Sequence, residues 1–230
     1  MFWPYSVFHA TMVGRGETGS LKNELCEIDR LPTSSKFMRN AILIPGRPDQ
    51  DEYYDPARPT NSNDHWFPWL SKQLILKDIF TVALEIPTPW QPRYTVWKKE
   101  LERFELTAET MLVGHSCGGG FLIRYLSEHP DLRVGKVILV APWTNPSNNP
   151  RSDTADFFDF SMDRGLVSRT SGVTVFYSTN DDGSILKTVA LIRENIDQVT
   201  YREFANKGHF CLDDLGTVEF PELLNECLKK

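Results

Sequence analysis

Leu112-Val113-Gly114-His115-Ser116-Cys117-Gly118-Gly119-Gly120 joins an apolar run over residues 110–113 to a helical pattern over residues 121–129. Strand, sharp turn and helix around G-x-S-x-G are the setting in which a serine is forced onto a strained turn and presented as a nucleophile. The glycines allow it, since a turn with strand and helix backbones packed close behind it leaves no room for neighbouring Cβ atoms. Ser116 is then expected at the carboxyl edge of a sheet. The N-terminus of the following helix, beneath it, favours developing negative charge. Alone, the motif also fits a chance match in a glycine-rich loop, so the flanking elements carry the reading.

Outward from this stretch, the chain alternates strand and helix. Residues 41–45 and 134–141 are short apolar runs, the mark of strands buried on both faces, and residues 79–86, 173–177 and 199–204 read as further strands. Between them, residues 65–76, 95–104, 185–195 and 219–228 carry helical spacing, with Asp64 as the expected N-cap of the first and Trp66, Trp69, Leu70 and Leu74 on its core face. This alternation predicts a mainly parallel sheet covered by helices on both faces. Residues 49–64 form a polar loop. Residues 144–171 are the longest irregular connection, whose Phe157, Phe158 and Phe160 suit a satellite core better than a substrate wall. Residues 1–38 differ in character, polar and glycine-rich in part with one short helical stretch at 21–28; they are expected to be an extension loosely attached to a domain of residues 39–230. Met38, directly before the first strand, is a candidate natural start.

Composition narrows the classes. The 230 residues suffice for one domain that buries roughly 70% of its unfolded surface. A formal net charge of −6 argues against a nucleic-acid surface, and no apolar stretch reaches the length of a membrane span. Cys26, Cys117, Cys211 and Cys227 show neither C-x-x-C pairing nor metal-ligand spacing, so reduced thiols, a cytoplasmic location, and no metal or other cofactor are expected.

In parallel sheets the loops after the strands carry the site. Ser116, Asp181 and His209 all fall on such loops. A serine hydroxyl needs a base during attack, an imidazole has a suitable pKa, and a carboxylate behind the ring fixes its tautomer. Asp182 is the alternative acid, although capping the following helix suits it better. The backbone N–H of Cys117 is one expected oxyanion donor, and a second is expected from Gly46 or Arg47 after the first strand. Arg47 could instead meet an acidic substrate group. Trp66 and Trp143 are candidate substrate-binding residues, each equally suited to the core. His115 is expected to pack behind the site.

From residue 41 onward the chain resembles the small serine hydrolases of the YdeN and retinoblastoma-binding-protein-9 type. The resemblance rests on Ile44-Pro45-Gly46, Trp66-Phe67-Pro68-Trp69-Leu70, Gly114-His115-Ser116-Cys117-Gly118-Gly119, Ser178-Thr179-Asn180-Asp181 and Gly208-His209-Phe210. It implies an α/β-hydrolase fold with little or no cap domain, and a Ser116, Asp181, His209 triad. The family's acid loop, serine-x-Asp/Asn-Asp, places its last aspartate at Asp181. Two features depart from the family: a long loop over residues 47–63, and Asp182-Gly183 where proline often follows the acid. The L-x-C-x-E pattern is absent, so binding to the retinoblastoma protein is not carried over.

The expected function is hydrolysis of small ester or amide substrates through an acyl-enzyme, carboxylesterase-like in class. An aminopeptidase-like amidase and a thioesterase use the same machinery, and a non-catalytic binding protein on this fold is the rival from another class. The sequence leaves substrate and oligomeric state open.

Overall fold

The computed structural model describes residues 39–145, 154 and 156–229. The extension expected over residues 1–38, with its short helix and Met38, lies outside the described residues, as does most of the loop over residues 146–155.

Six strands form one sheet in the order β2-β1-β3-β4-β5-β6, every pair parallel. They are β1 (Asn40–Ile44), β2 (Phe80–Ala83), β3 (Thr110–His115), β4 (Val137–Val140), β5 (Val173–Ser178) and β6 (Thr200–Phe204). Among the described residues, seven α-helices connect and flank them: α1 (Gln50–Tyr54), α2 (Phe67–Ile75), α3 (Tyr94–Leu101), α4 (Cys117–Glu128), α5 (Gly183–Asn195), α6 (Leu212–Leu215) and α7 (Pro221–Leu228).

Two apolar cores follow from the two-residue period of the strands. Ile42, Ile44, Leu112, Leu139 and Val175 face one side, where Trp97 of α3, Phe121 and Leu122 of α4 and Ile192 of α5 cover them. Their neighbours Leu43, Val113, Ile138, Val140 and Phe176 face the other, packed on Phe67, Leu70 and Leu74 of α2 and Leu223 of α7. Phe157 and Phe158, on a 3-10 turn (Asp156–Phe158), are buried in the first core, while Phe160 packs partly buried against it. These aromatics are core, and none of them lines the recesses beside Ser116.

Strand β3 is buried along its whole length and runs straight into the turn at Ser116. Its neighbour β1 exits beside the first turn of α4, with Gly118 at the crossing: a Cβ there would lie 2.3 Å from the Ile44 carbonyl oxygen and 2.4 Å from that of Pro45. Only hydrogen fits at that position. The close approach brings Gly46 against Ser116, whose Cβ lies 3.0 Å from where a Cβ on Gly46 would stand.

Three local expectations are corrected. Helix α2 starts at Phe67, and its N-cap is Trp66 with no side-chain capping bond. Asp64 is not the cap, because His65 intervenes with φ +53° and takes the Asp64 carboxylate on its own N–H at 2.6 Å. Pro68 in the first turn brings no N–H, so one fewer donor there needs a cap. Trp66 does not line a pocket. It is fully buried, its indole stacked on Phe67 with centroids 4.1 Å apart. The left-handed turn at His65 puts the histidine at the cleft and the tryptophan in the core. Finally, the loop over residues 49–64 is not wholly irregular, since α1 and a 3-10 turn (Asn61–Asn63) lie within it.

Candidate active site

Ser116 has φ +53° and ψ −120°, a conformation that L-residues adopt only when the surroundings impose it. Here both backbone groups are committed: its N–H donates to the Val140 carbonyl at 2.9 Å, and its carbonyl accepts from Trp143 at 3.0 Å and Gly120 at 3.2 Å. The strain is thus held by β4 and by the first turn of α4. Between Met111 and Gly120, Ser116 is the one residue not buried. Cys117 follows as the first residue of α4, placing its N–H at the positive end of a 12-residue helix.

His209 lies in the loop after β6 and Asp181 in the loop after β5. The His209 Nδ1–H donates to both oxygens of Asp181, at 3.0 and 3.1 Å. The Asp181 side chain is only 2% exposed, and its Oδ1 also accepts the Asp182 N–H at 2.7 Å. With Nδ1 occupied in this way, Nε2 of His209 is the ring atom left for proton transfer. Asp182 does something else. It caps α5, its carboxylate accepting the Ser184 N–H at 2.8 Å, and the Ser184 hydroxyl, followed by that N–H, holds its carboxyl below the usual range.

The acid and base loops are stitched to each other. Asn180 Oδ1 accepts from the Gly208 N–H at 3.1 Å and from the Ser178 hydroxyl at 2.7 Å, and the Ser178 oxygen accepts the Lys207 N–H at 3.0 Å. The backbone of His209 is held at both ends as well. Asp214 Oδ2 accepts its N–H at 2.8 Å, and His115 Nε2 meets its carbonyl at 2.8 Å. A carbonyl only accepts, so Nε2 of His115 carries the proton. Burial, with His209 and His65 nearby, keeps that ring neutral by lowering its pKa well below the ordinary value. Gly208, at φ +45°, leaves room for Asp214, whose Oδ1 would be 2.1 Å from a Cβ there.

Two recesses open beside Ser116 and His209. One, of about 440 Å³, is lined by Trp143, Asp181, Asp182, Ser184 and Asp214 among others. The Trp143 indole N–H donates to the Ser184 hydroxyl at 3.1 Å. The second, of about 280 Å³, is lined by Gly46, Arg47, Glu52, Arg58, Asp64 and His65 among others. Arg58 pairs there with Glu52, and Asn61 Nδ2 donates to the Gly46 carbonyl at 2.9 Å, which ties the polar loop to the turn after β1. Of the expected site residues, Ser116, Asp181, His209, Gly46, Arg47 and Trp143 thus meet at these recesses, Cys117 lies buried at the foot of the turn, and Trp66 is elsewhere. Asp214 and His65 were not singled out by the sequence, and Ser178 and Asn180 entered only as members of the acid-loop motif, with no sign of what they bond. Their contacts cross between loops, and no local pattern reports such contacts.

Cys211 also lines the second recess, but burial, followed by the charge of Asp214, pushes its thiol up to about 12, far from thiolate chemistry at neutral pH. Among the described residues no group of three or more His, Cys, Asp or Glu could hold a metal ion. Nor is any helix among them long and apolar enough to cross a membrane.

An all-parallel six-stranded sheet with helices on both faces, and a G-x-S-x-G serine on a left-handed turn between strand and helix, defines an α/β-hydrolase. The chain belongs to the serine hydrolase family, whose model matches residues 58–226. It is 31% identical over 167 residues to the hydrolase YdeN of Bacillus subtilis (strain 168), covering 70% of this chain and 85% of that one. The crystal structure of the ydeN gene product from B. subtilis superposes with a TM-score of 0.68 at 25% identity, over 82% of this chain and 96% of that one. The fold is also similar to that of Est1E from Butyrivibrio proteoclasticus, solved with ferulic acid bound: TM-score 0.57, 10% identity, 82% and 87% coverage. This protein is a hydrolase.

Proposed function

We propose that the chain is a carboxylesterase-like enzyme acting on small acyl substrates through a covalent acyl-enzyme, with Ser116, His209 and Asp181 as its triad. The observation that supports this most is the joint geometry of the strained Ser116 turn and the His209–Asp181 pair, both opening on the same recesses. In this reading Ser116 Oγ attacks the substrate carbonyl as its proton passes to His209 Nε2, and Asp181 holds the ring at Nδ1 and stabilises the imidazolium. The tetrahedral oxyanion sits against the N–H of Cys117, at the positive end of α4, and against the turn at Gly46 and Arg47. His209 then gives its proton to the leaving group. Water, deprotonated by the same imidazole, releases the acid.

Pre-steady-state hydrolysis of p-nitrophenyl acetate tests the covalent route. A burst of one nitrophenolate per enzyme, followed by slower turnover, is expected; burst-free kinetics together with no trapped acyl-enzyme on acid quench would contradict it.

A further inference from the structure

The smaller recess has apolar lining from Pro48, Tyr53, Pro59 and Phe67 and, beside it, a polar wall. Glu52 and Arg58 form an ion pair on its wall, and Asp64 lies 4.0 Å from the Arg58 guanidinium. An alkyl chain laid against that polar wall would strip water from these groups and return no hydrogen bonds, a costly exchange.

His65 adds a directed donor. Its Nδ1 accepts the backbone N–H of Leu212 at 3.3 Å, at the start of α6; Asp64 Oδ1, 3.4 Å from the same nitrogen, already accepts the His65 backbone N–H at 2.6 Å, so the proton of the neutral ring resides on Nε2. Burial, only partly opposed by Asp64 next to it, lowers the His65 pKa and favours that neutral form. The ring lines the recess together with Ser116, stands 6.0 Å from the His115 ring, and its side chain is 20% exposed. The left-handed backbone at φ +53° is what aims this residue, rather than Trp66, at the cleft.

From these observations we infer that His65 is a specificity-determining residue whose Nε2–H receives an oxygen acceptor on the substrate. The group entering this recess is therefore short and oxygen-bearing (an ether, hydroxyl or carbonyl close to the scissile carbonyl) rather than plain alkyl. The inference rests on the hydrolase reading above and sharpens its substrate class.

p-Nitrophenyl methoxyacetate and p-nitrophenyl butyrate test it directly, since they differ by an ether oxygen in place of one methylene. Each kcat/KM is divided by the ester's own rate constant with hydroxide, which removes the difference in intrinsic reactivity. The wild type is expected to favour the methoxyacetate about tenfold, the worth of one ordinary hydrogen bond. His65→Asn should bring that ratio to about one. Asparagine tolerates the left-handed backbone and offers Oδ1 to the Leu212 N–H, yet lacks the Nε2 donor. A wild-type ratio of one, or a preference kept in His65→Asn, overturns this inference and leaves the hydrolase reading standing. Hydrolysis of neither ester, with no labelling of Ser116 by a fluorophosphonate, overturns both.

Discussion

Two adjacent aspartates show how much a single position decides. Asp181 meets the ring of His209 and Asp182 meets the first turn of α5, although one peptide bond separates them. Asp181→Asn should lower kcat by about four orders of magnitude, because the amide invites the wrong histidine tautomer. Asp182→Asn should leave turnover nearly intact, and Asp182→Ala should cost about 1 kcal/mol of stability through the lost cap. Steady-state kinetics and denaturant titration of the three variants check this, and equal losses in turnover would refute the division of labour. Asp214 acts one step further away, as a positioning residue for His209, since it also accepts the Cys211 N–H at 3.3 Å and so fixes the whole turn. Asp214→Ala is expected to cut kcat by about a hundredfold at nearly constant KM, the scale of an ångström-sized displacement of a base. Asp214→Asn, which keeps an acceptor oxygen, should recover most of that. At this scale the sequence brought out Ser116, Asp181 and His209 by residue type, and the fold sets them at the same recesses. The sequence was silent where a tertiary turn decides: nothing local in Asp64-His65-Trp66 tells which of two aromatic rings faces the cleft.

At the scale of elements, legibility followed burial. Strands β1, β3 and β4 read as continuous apolar runs because both their faces are covered. The edge strand β2 is shorter than the stretch read for it, pairing over four residues before the chain leaves the sheet. Helices α1 and α6, of five and four residues, bury no side chain and so leave no periodic signal; capping-box bonds hold both. The β3–α4 joint is the element on which the site depends. Gly118→Ala would drive a methyl into two backbone carbonyls of the β1 exit, which cannot move without opening the sheet. Destabilisation at the upper end of the 1–3 kcal/mol typical of overpacked cores is expected, a fall in Tm of roughly 5–10 °C. Calorimetry measures it; a Tm within a degree of wild type would mean that the crossing is looser than described.

Across the whole molecule, the carboxyl ends of the strands carry the two recesses, while a buried carboxylate paired with more exposed cations joins α7 to the strands. Glu226 is nearly buried, accepts from the Thr174 hydroxyl at 3.0 Å and from Arg202 at 3.2 Å, and pairs with Lys229. Burial alone would raise its carboxyl, but the Lys229 and Thr174 bonds and the Lys136 charge hold it below the ordinary glutamate value. A folded-state pKa below the unfolded one means that the Glu226 contribution is full above the unfolded value, about 4.3. It is lost as the pH falls through the folded value. Stability measured by urea titration between pH 7 and pH 3 should therefore fall on acidification. In Glu226→Gln part of that fall should vanish; an unchanged pH dependence would remove Glu226 from the account. The sheet, its parallel sense and the strand-end position of the loops bearing Ser116, Asp181 and His209 were all legible from the alternation of strand-like and helical stretches. The stitching of one loop to another was not, because Asn180 with Gly208 and His115 with His209 are brought together by the fold alone.

The central claim is that the strained serine is the nucleophile, and an active-site-directed fluorophosphonate tests it most directly. Intact-mass analysis should show one adduct on the folded wild type, mapped by peptide sequencing to Ser116, and none on an equally folded Ser116→Ala. Folded wild-type protein that takes up no probe, or an adduct on any other residue, would contradict the account.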